Sequence, residues 1–143
     1  MSRVTDLSTL FASTAFNEDI SAWDVSAVTS LESAFEGNAA FNQNLSGWDV
    51  SAVTSMNNLF SGATAFNGDV SVWEVGRVTW FVNAFKGTAS FNQDLSAWDV
   101  SAAQNLNSMF SASAFNRNLG DWDVSKVTSM EWMVAFSSFN QDL

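Results

Sequence analysis

The sequence predicts an α/β solenoid of five to six coils, in which each coil of 24–25 residues has one short parallel strand and one short helix or 3-10 turn. Two recurring motifs and one change of spacing carry this prediction. A Phe-Asn pair recurs at steps of 25, 25, 25, 24 and 24 residues, beginning at Phe16, Phe41, Phe66, Phe91, Phe115 and Phe139. A Trp followed by an acid and Val recurs in the same phase, at Trp23, Trp48, Trp73, Trp98 and Trp122. Within each unit, the apolar spacing changes from one that suits a strand to one that suits a helix.

The strand is predicted from residues 45–50, where apolar residues follow at spacings of three and then two. This is the strand pattern of leucine-rich repeats, here with Trp in the central position. The helix or 3-10 turn is predicted from residues 53–60, whose apolar side chains are spaced three, three and one apart. Ser51 is the expected N-cap, and Gly62 lies where a helix end favours a left-handed residue.

A single unit is too small to fold alone, because its apolar surface does not offset the entropy lost on ordering its residues. We therefore expect neighbouring coils to bury each other's Phe, Trp and Met side chains in one repeat domain of residues 1–143. Val4 enters at a helical segment, and Leu143 stops partway into a strand motif. We therefore expect either an excised fragment or an uncapped array that associates with itself head to tail through the solenoid ends.

The composition excludes several classes of function. The chain has no Cys and no His, which removes thiol chemistry, disulfides and the usual general base near neutral pH. A net charge of −10 and a pI of about 4.1 repel phosphate backbones, so nucleic acid is not an expected partner. No apolar run approaches the roughly 18 residues that span a bilayer, so membrane insertion is not expected. The start of the chain has no signal-peptide pattern, and the residues alone assign no location.

Residues 91–101 read Phe-Asn-Gln-Asp-Leu-Ser-Ala-Trp-Asp-Val-Ser, and this motif resembles a bacterial surface-protein repeat of about 26 residues. That repeat occurs in mycoplasma and Listeria lipoproteins and is similar to the BspA-type leucine-rich repeat. The resemblance covers essentially the whole chain. It implies an extracellular or surface-attached solenoid used for adhesion or protein binding, in a family most of whose members have no assigned biochemical activity.

Stacking turns each position of the repeat into a column, and one such column is acidic. The acids that follow Trp are Asp24, Asp49, Glu74, Asp99 and Asp123. Their carboxylates are expected either to accept hydrogen bonds from Ser and the main chain at the following turn, or to bind calcium or a basic ligand. Retaining glycoside hydrolysis is a third alternative, but a uniform column gives no two carboxyls the different pKa values that it needs.

A second column consists of the Asn that follows each Phe. Its members are Asn17, Asn42, Asn67, Asn92, Asn116 and Asn140. Stacked Asn side chains can satisfy main-chain groups at a buried bend, so this column is predicted to be structural.

Four apolar residues depart from the repeat at polar or small positions. Trp80 replaces the Ser of other coils, Val82 follows at another polar position, and Trp132 and Phe136 stand where earlier coils have Asn58 and Gly62. Exposed aromatic side chains can anchor a partner, and they can equally serve local packing or cover the end of the last coil.

The sequence therefore predicts a non-enzymatic repeat scaffold for adhesion or protein–protein binding, at a cell surface if the resemblance extends to location. One alternative is a structural unit that assembles with itself, and another is a calcium-dependent glycan-binding or glycan-active protein. No cofactor is expected other than calcium at the acidic column, and a small-molecule substrate is not expected.

Overall fold

The computed structural model describes residues 3–143, and within them there is no helix and no extended strand. The regular pairing consists of isolated parallel bridges that link one residue of each unit to the next. The bridged residues are Asp6, Ser30, Ser55, Trp80, Asn105 and Ser129. The predicted α/β, leucine-rich-repeat-like solenoid with a strand and a helix in every coil is therefore wrong.

The chain instead forms a stack of six coils built from consecutive tight turns. The coils begin at Thr5, Thr29, Thr54, Thr79, Gln104 and Thr128, each of which, apart from Thr5, donates its amide to its counterpart in the preceding coil. Within a coil, most turns are closed by a hydrogen bond from an amide to the carbonyl three residues earlier. Such bonds run from Trp48 to Leu45 at 3.0 Å and from Val53 to Val50 at 2.9 Å. The segment 45–50 thus starts as a turn, which explains the absence of the expected strand.

The segment expected to be helical alternates between bonds within the coil and bonds to the next coil. The amides of Met56, Asn58, Phe60 and Gly62 donate to the following coil, whereas the intervening Leu59 and Ser61 amides close turns within their own coil. A helix would direct every amide to a carbonyl four residues earlier. The alternation requires positive φ at Asn58 (55°) and Gly62 (73°), so the segment cannot continue as a helix. Gly62 has the left-handed conformation expected of it, but as part of this alternation and not at a helix end.

The core is formed by aromatic columns that run through the stack. Phe60 stacks on Phe66 of the same coil with ring centroids 3.8 Å apart, and Phe66 stacks on Phe91 of the next coil at 5.8 Å. Trp73 stacks on Trp48 at 6.4 Å with an angle of 6° between the ring planes. The recurring aromatic side chains therefore lie in register from coil to coil, as the repeat predicted.

The Asn column joins adjacent coils at the surface. The Oδ1 atom of Asn42 accepts the amide of Asn67 at 2.9 Å, and Asn67 accepts the amide of Asn92 in the same way at 3.0 Å. The predicted use of these side chains to satisfy main-chain groups is confirmed. The bend, however, is exposed at Asn42 and Asn67 and not buried.

Candidate functional site

The acidic column lies on the surface, and four of its five carboxylates are acceptors in the turn that follows. Asp49 Oδ1 accepts the Ser51 hydroxyl at 2.6 Å and the Ser51 amide at 3.0 Å. The Ser amide two residues on donates in the same way to Asp24, Asp99 and Asp123. Hydrogen bonds from the hydroxyl and then the amide of that Ser lower the pKa of all four carboxyls below the ordinary Asp value. These Asp side chains are therefore engaged in turn formation, and Ser51 is a donor to Asp49 and not the cap of a helix.

Glu74 is the exception in the column. Gly76 stands where the other coils have Ser, so the following turn has no hydroxyl to offer. A Cβ atom built on Gly76 would lie 3.2 Å from Asp99 Oδ2, which shows that the Asp99 carboxylate of the next coil approaches this turn closely. Glu74 and Asp99 thus flank a turn that differs from its counterparts in other coils.

The described residues, 3–143, contain no group of three acids that could jointly hold a metal ion. Calcium normally takes six to eight oxygen ligands, including several carboxylates or carbonyls around one point. The acidic column instead offers carboxylates one coil apart, each bound to its own turn in four of five cases.

A depression on this face surrounds the turn at Gly76. It has a volume of about 520 Å³ and extends from Ser51 in one coil to Asp99 two coils on, with Val72, Glu74 and Arg77 along it. Val72 is 63% exposed and replaces Ala or Gly of most other coils. We call this depression the middle cleft.

The departures continue beyond the cleft to Trp80 and Val82. In other coils the equivalent positions carry polar links, such as the Ser55 hydroxyl donating to Glu32 Oε1 and the Ser129 hydroxyl donating to Asn107 Oδ1, both at 2.5 Å. The side chains of Trp80 and Val82 make no such link to residues 3–143, and Trp80 is 42% exposed. Trp80 and Val82 follow the middle cleft along the chain without lining it, and we call the exposed side chains of residues 72–82 the 72–82 surface.

Trp132 and Phe136 form a separate aromatic pair in the sixth coil. Their ring centroids are 6.2 Å apart and their planes are 13° from parallel, and the side chains are 64% and 84% exposed. Both residues have positive φ, 59° and 57°, at positions that earlier coils fill with residues such as Asn58 and Gly62. A bulky side chain is rarely found in this conformation. The two rings lie against each other on the surface, and most of the area of each side chain is exposed.

Sequence reasoning identified Trp80, Val82, Trp132 and Phe136, and the structure divides them between two places. It did not identify Val72, Gly76 or Arg77. A comparison of the coils position by position would have found them, because all three stand where most coils have a different, shared residue type.

The stacked, turn-built coils, linked by the same hydrogen bonds from coil to coil, define a repeat protein. The chain belongs to the family described as Mycoplasma protein of unknown function, DUF285, whose model matches residues 1–80 and 47–143. The resemblance to a mycoplasma surface repeat is thereby supported, whereas a relationship to BspA-type leucine-rich repeats is not. No curated protein matches the chain. No solved structure matches it either. No helix that could cross a membrane occurs within the described part of the chain.

Proposed function

We propose that the protein is a non-enzymatic repeat scaffold for adhesion or protein–protein binding, and that it contacts its partner through the 72–82 surface. The observation that carries this proposal is the concentration of exposed departures from the repeat in one stretch of eleven residues. Positions needed for stacking are shared by all coils. An exposed position that differs in a single coil is free to serve recognition.

The side chains of this surface suit a protein partner. Trp and Arg are enriched among the residues that dominate the binding energy of protein interfaces, and Trp80 and Arg77 are both exposed. Val72 adds apolar surface, while Glu74 and Arg77 add charges of both signs. Such a mixture of apolar contacts and a charged rim is typical of protein interfaces.

The chemistry of the carboxyls favours binding over catalysis. A carboxyl that acts as general acid near neutral pH needs a raised pKa. The hydrogen bonds from Ser lower the pKa of Asp24, Asp49, Asp99 and Asp123 and so keep these groups ionised. The sequence also contains no His or Cys that could act as base or nucleophile.

The test compares the wild-type chain with a variant in which residues of other coils are restored. Val72→Ala, Trp80→Ser and Val82→Asn introduce side chains that the repeat already carries at the equivalent positions 22, 55 and 57. The triple variant is therefore expected to keep the fold, as judged by its circular dichroism and melting temperature. Both proteins are applied to arrays of purified proteins and of glycans.

We expect protein spots that bind the wild-type chain and lose binding to the triple variant, while a Trp132→Asn control retains it. Equal binding of wild type and triple variant would refute the 72–82 surface as the contact site. Binding to glycans alone would favour the glycan-binding alternative.

A further inference from the structure

The five interfaces between coils use one set of main-chain hydrogen bonds. At the interface between the third and fourth coils, the amides of Met56, Asn58, Phe60 and Gly62 donate forward, and the amide of Thr79 donates back. The distances lie between 2.7 and 3.0 Å. The equivalent bonds occur at every other interface, so a coil has one donor-rich face and one acceptor-rich face.

The sixth coil exposes the amide donors of this hydrogen-bond set, and the first coil exposes its carbonyl acceptors. In the sixth coil, the equivalent amides donate to no acceptor within residues 3–143; they belong to Met130, Trp132, Val134 and Phe136. In the first coil, the equivalent carbonyls accept no hydrogen bond from residues 3–143; they belong to Asp6, Ser8, Leu10 and Ala12. The spacing of donors on one face equals the spacing of acceptors on the other.

The tryptophans show the same complementarity. The indole N–H of Trp48, Trp73, Trp98 and Trp122 donates to a carbonyl of the preceding coil at 2.9–3.0 Å. The acceptors in order are Ile20, Leu45, Val70 and Leu95, and the equivalent residues of the fifth and sixth coils are Leu119 and Leu143. The indole N–H of Trp23, on the first coil, has no acceptor within the described residues. In a second copy stacked on the sixth coil, the indole N–H of Trp23 would therefore face the main-chain oxygen of Leu143.

The outer faces also match in polarity. The first coil has a depression of about 480 Å³, whose lining includes Val4, Leu10 and Trp23. The sixth coil exposes Met130 and Leu143. Burial of these side chains against each other would remove apolar surface from water at both faces.

From these relationships we propose that two copies of the chain associate head to tail, with the first coil of one copy on the sixth coil of the other, in the register of the internal interfaces. The contact joins two different surfaces, so each added copy again offers one free face of each kind, and assembly is open-ended unless it closes into a ring. This inference does not depend on the 72–82 surface, which lies on other coils. A coil supplied by a longer chain would pair in the same register, so the experiment uses the chain of residues 1–143.

The experiment blocks one face at a time and measures mass by sedimentation velocity over a wide range of protein concentration. Leu10→Glu places a charge on the first coil, and Met130→Glu places one on the sixth coil. We expect the wild type to show a concentration-dependent series of oligomers and each variant alone to be a monomer. An equimolar mixture of the two variants is expected to form a dimer and nothing larger, because only one intact pair of faces remains.

Recovery of the dimer on mixing also shows that both variants are folded, and Val4→Glu replaces Leu10→Glu if the latter unfolds. Thr64→Glu, at an exposed position away from both outer faces and from the 72–82 surface, is the control and should associate like the wild type. A monomeric wild type at every concentration would overturn the proposal. Loss of association in only one of the two variants would overturn it as well, because it would indicate a contact between identical surfaces, such as the Trp132 and Phe136 pair.

Discussion

The indole N–H of Trp73 donates a 2.9 Å hydrogen bond to the main-chain carbonyl of Leu45, and both groups are buried between adjacent coils. The ring of Trp73 also stacks between those of Trp48 and Trp98, at 6.4 Å from each. The ring of Trp73 thus contacts both neighbouring coils, and its indole N–H binds the preceding one. This arrangement makes the contribution of the hydrogen bond measurable against the contribution of stacking.

We predict that Trp73→Phe lowers the free energy of unfolding by at least about 1–3 kcal/mol, because the buried Leu45 carbonyl loses a hydrogen bond while an aromatic ring is kept. Trp23→Phe is the matched control, since the indole N–H of Trp23 makes no hydrogen bond to residues 3–143. Urea denaturation followed by far-UV circular dichroism measures both. Equal losses in the two variants would show that ring size, and not the hydrogen bond, matters.

The positive φ angles predict that Gly→Ala and Ala→Gly exchanges at equivalent positions of two coils change the free energy of unfolding in opposite directions. Gly87 has φ of 69° and Ala112, one coil later, has φ of 55°. A Cβ on Gly87 would lie 3.6 Å from the nearest atoms, so Gly87→Ala introduces strain without a steric clash. Left-handed strain costs Ala about 1–2 kcal/mol, and the lower unfolded-chain entropy of Ala relative to Gly offsets part of this in both exchanges. We therefore expect a net loss of less than about 1–2 kcal/mol for Gly87→Ala and a gain of similar size for Ala112→Gly. Urea denaturation of both variants checks the signs, and a gain for Gly87→Ala would contradict the alternating turns.

Acid should weaken the fold through the Asp side chains of the turns. Hydrogen bonds from Ser lower the pKa of Asp49 and Asp99 in the folded state. The stabilisation is therefore complete above the unfolded Asp value of about 3.9 and is lost as the pH falls through the lower, folded values. We expect the melting temperature to fall as the pH decreases below about 4.

The Asp49→Asn and Asp99→Asn double variant should show a shallower fall, because an amide oxygen still accepts the bonds but does not titrate. Asn44→Asp is the opposite control, since Asn44 Oδ1 already accepts the Ser46 amide at 2.8 Å and Asp would add a titrating group there. It should steepen the fall. Identical acid profiles in all three proteins would contradict this account.

Calcium should not stabilise the acidic column beyond the effect of ionic strength. Four of the five carboxylates are bound to their own turns, and residues 3–143 contain no group of three acids around one point. We predict the same melting temperature in calcium chloride as in sodium chloride of equal ionic strength. A calcium-specific rise, with binding heat that the Asp49→Asn and Asp99→Asn variant loses, would establish a cation site.

The repeat predicted the register of the core side chains, but it did not predict the path of the main chain between one buried aromatic residue and the next. The recurrence of Trp48, Trp73 and Trp98 at steps of 25 residues is sufficient to place their rings in one column. The spacing of three, three and one in residues 53–60, in contrast, fits both a helix and a series of turns whose alternate amides bond to the next coil. Hydrophobic spacing does not distinguish these two, because both bury the same side chains.

A second signal was present in the same segment. Asn58 and Gly62 are four residues apart, as are Asn83 and Gly87, and both residue types tolerate positive φ. Two such residues inside a short segment indicate a main chain that alternates between right-handed and left-handed conformations. The middle cleft was missed for a related reason, because Gly76 and Arg77 are unremarkable alone and differ only by comparison with their counterparts in other coils.

The central claim is that successive coils are stacked in register, one repeat apart, and engineered disulfides test it most directly because the chain has no native Cys. The Thr79 amide donates to the Thr54 carbonyl at 3.0 Å, and the Gln104 amide donates to the Thr79 carbonyl at 2.9 Å. Thr54→Cys with Thr79→Cys should therefore form an intramolecular disulfide, because adjacent chains paired in this way lie about 5 Å apart, within reach of an S–S bond. Thr54→Cys with Gln104→Cys, two coils apart at about 10 Å, should keep both thiols. Thiol titration and mass spectrometry of the oxidised monomers give the result, and a disulfide in the second pair with free thiols in the first would contradict the stack.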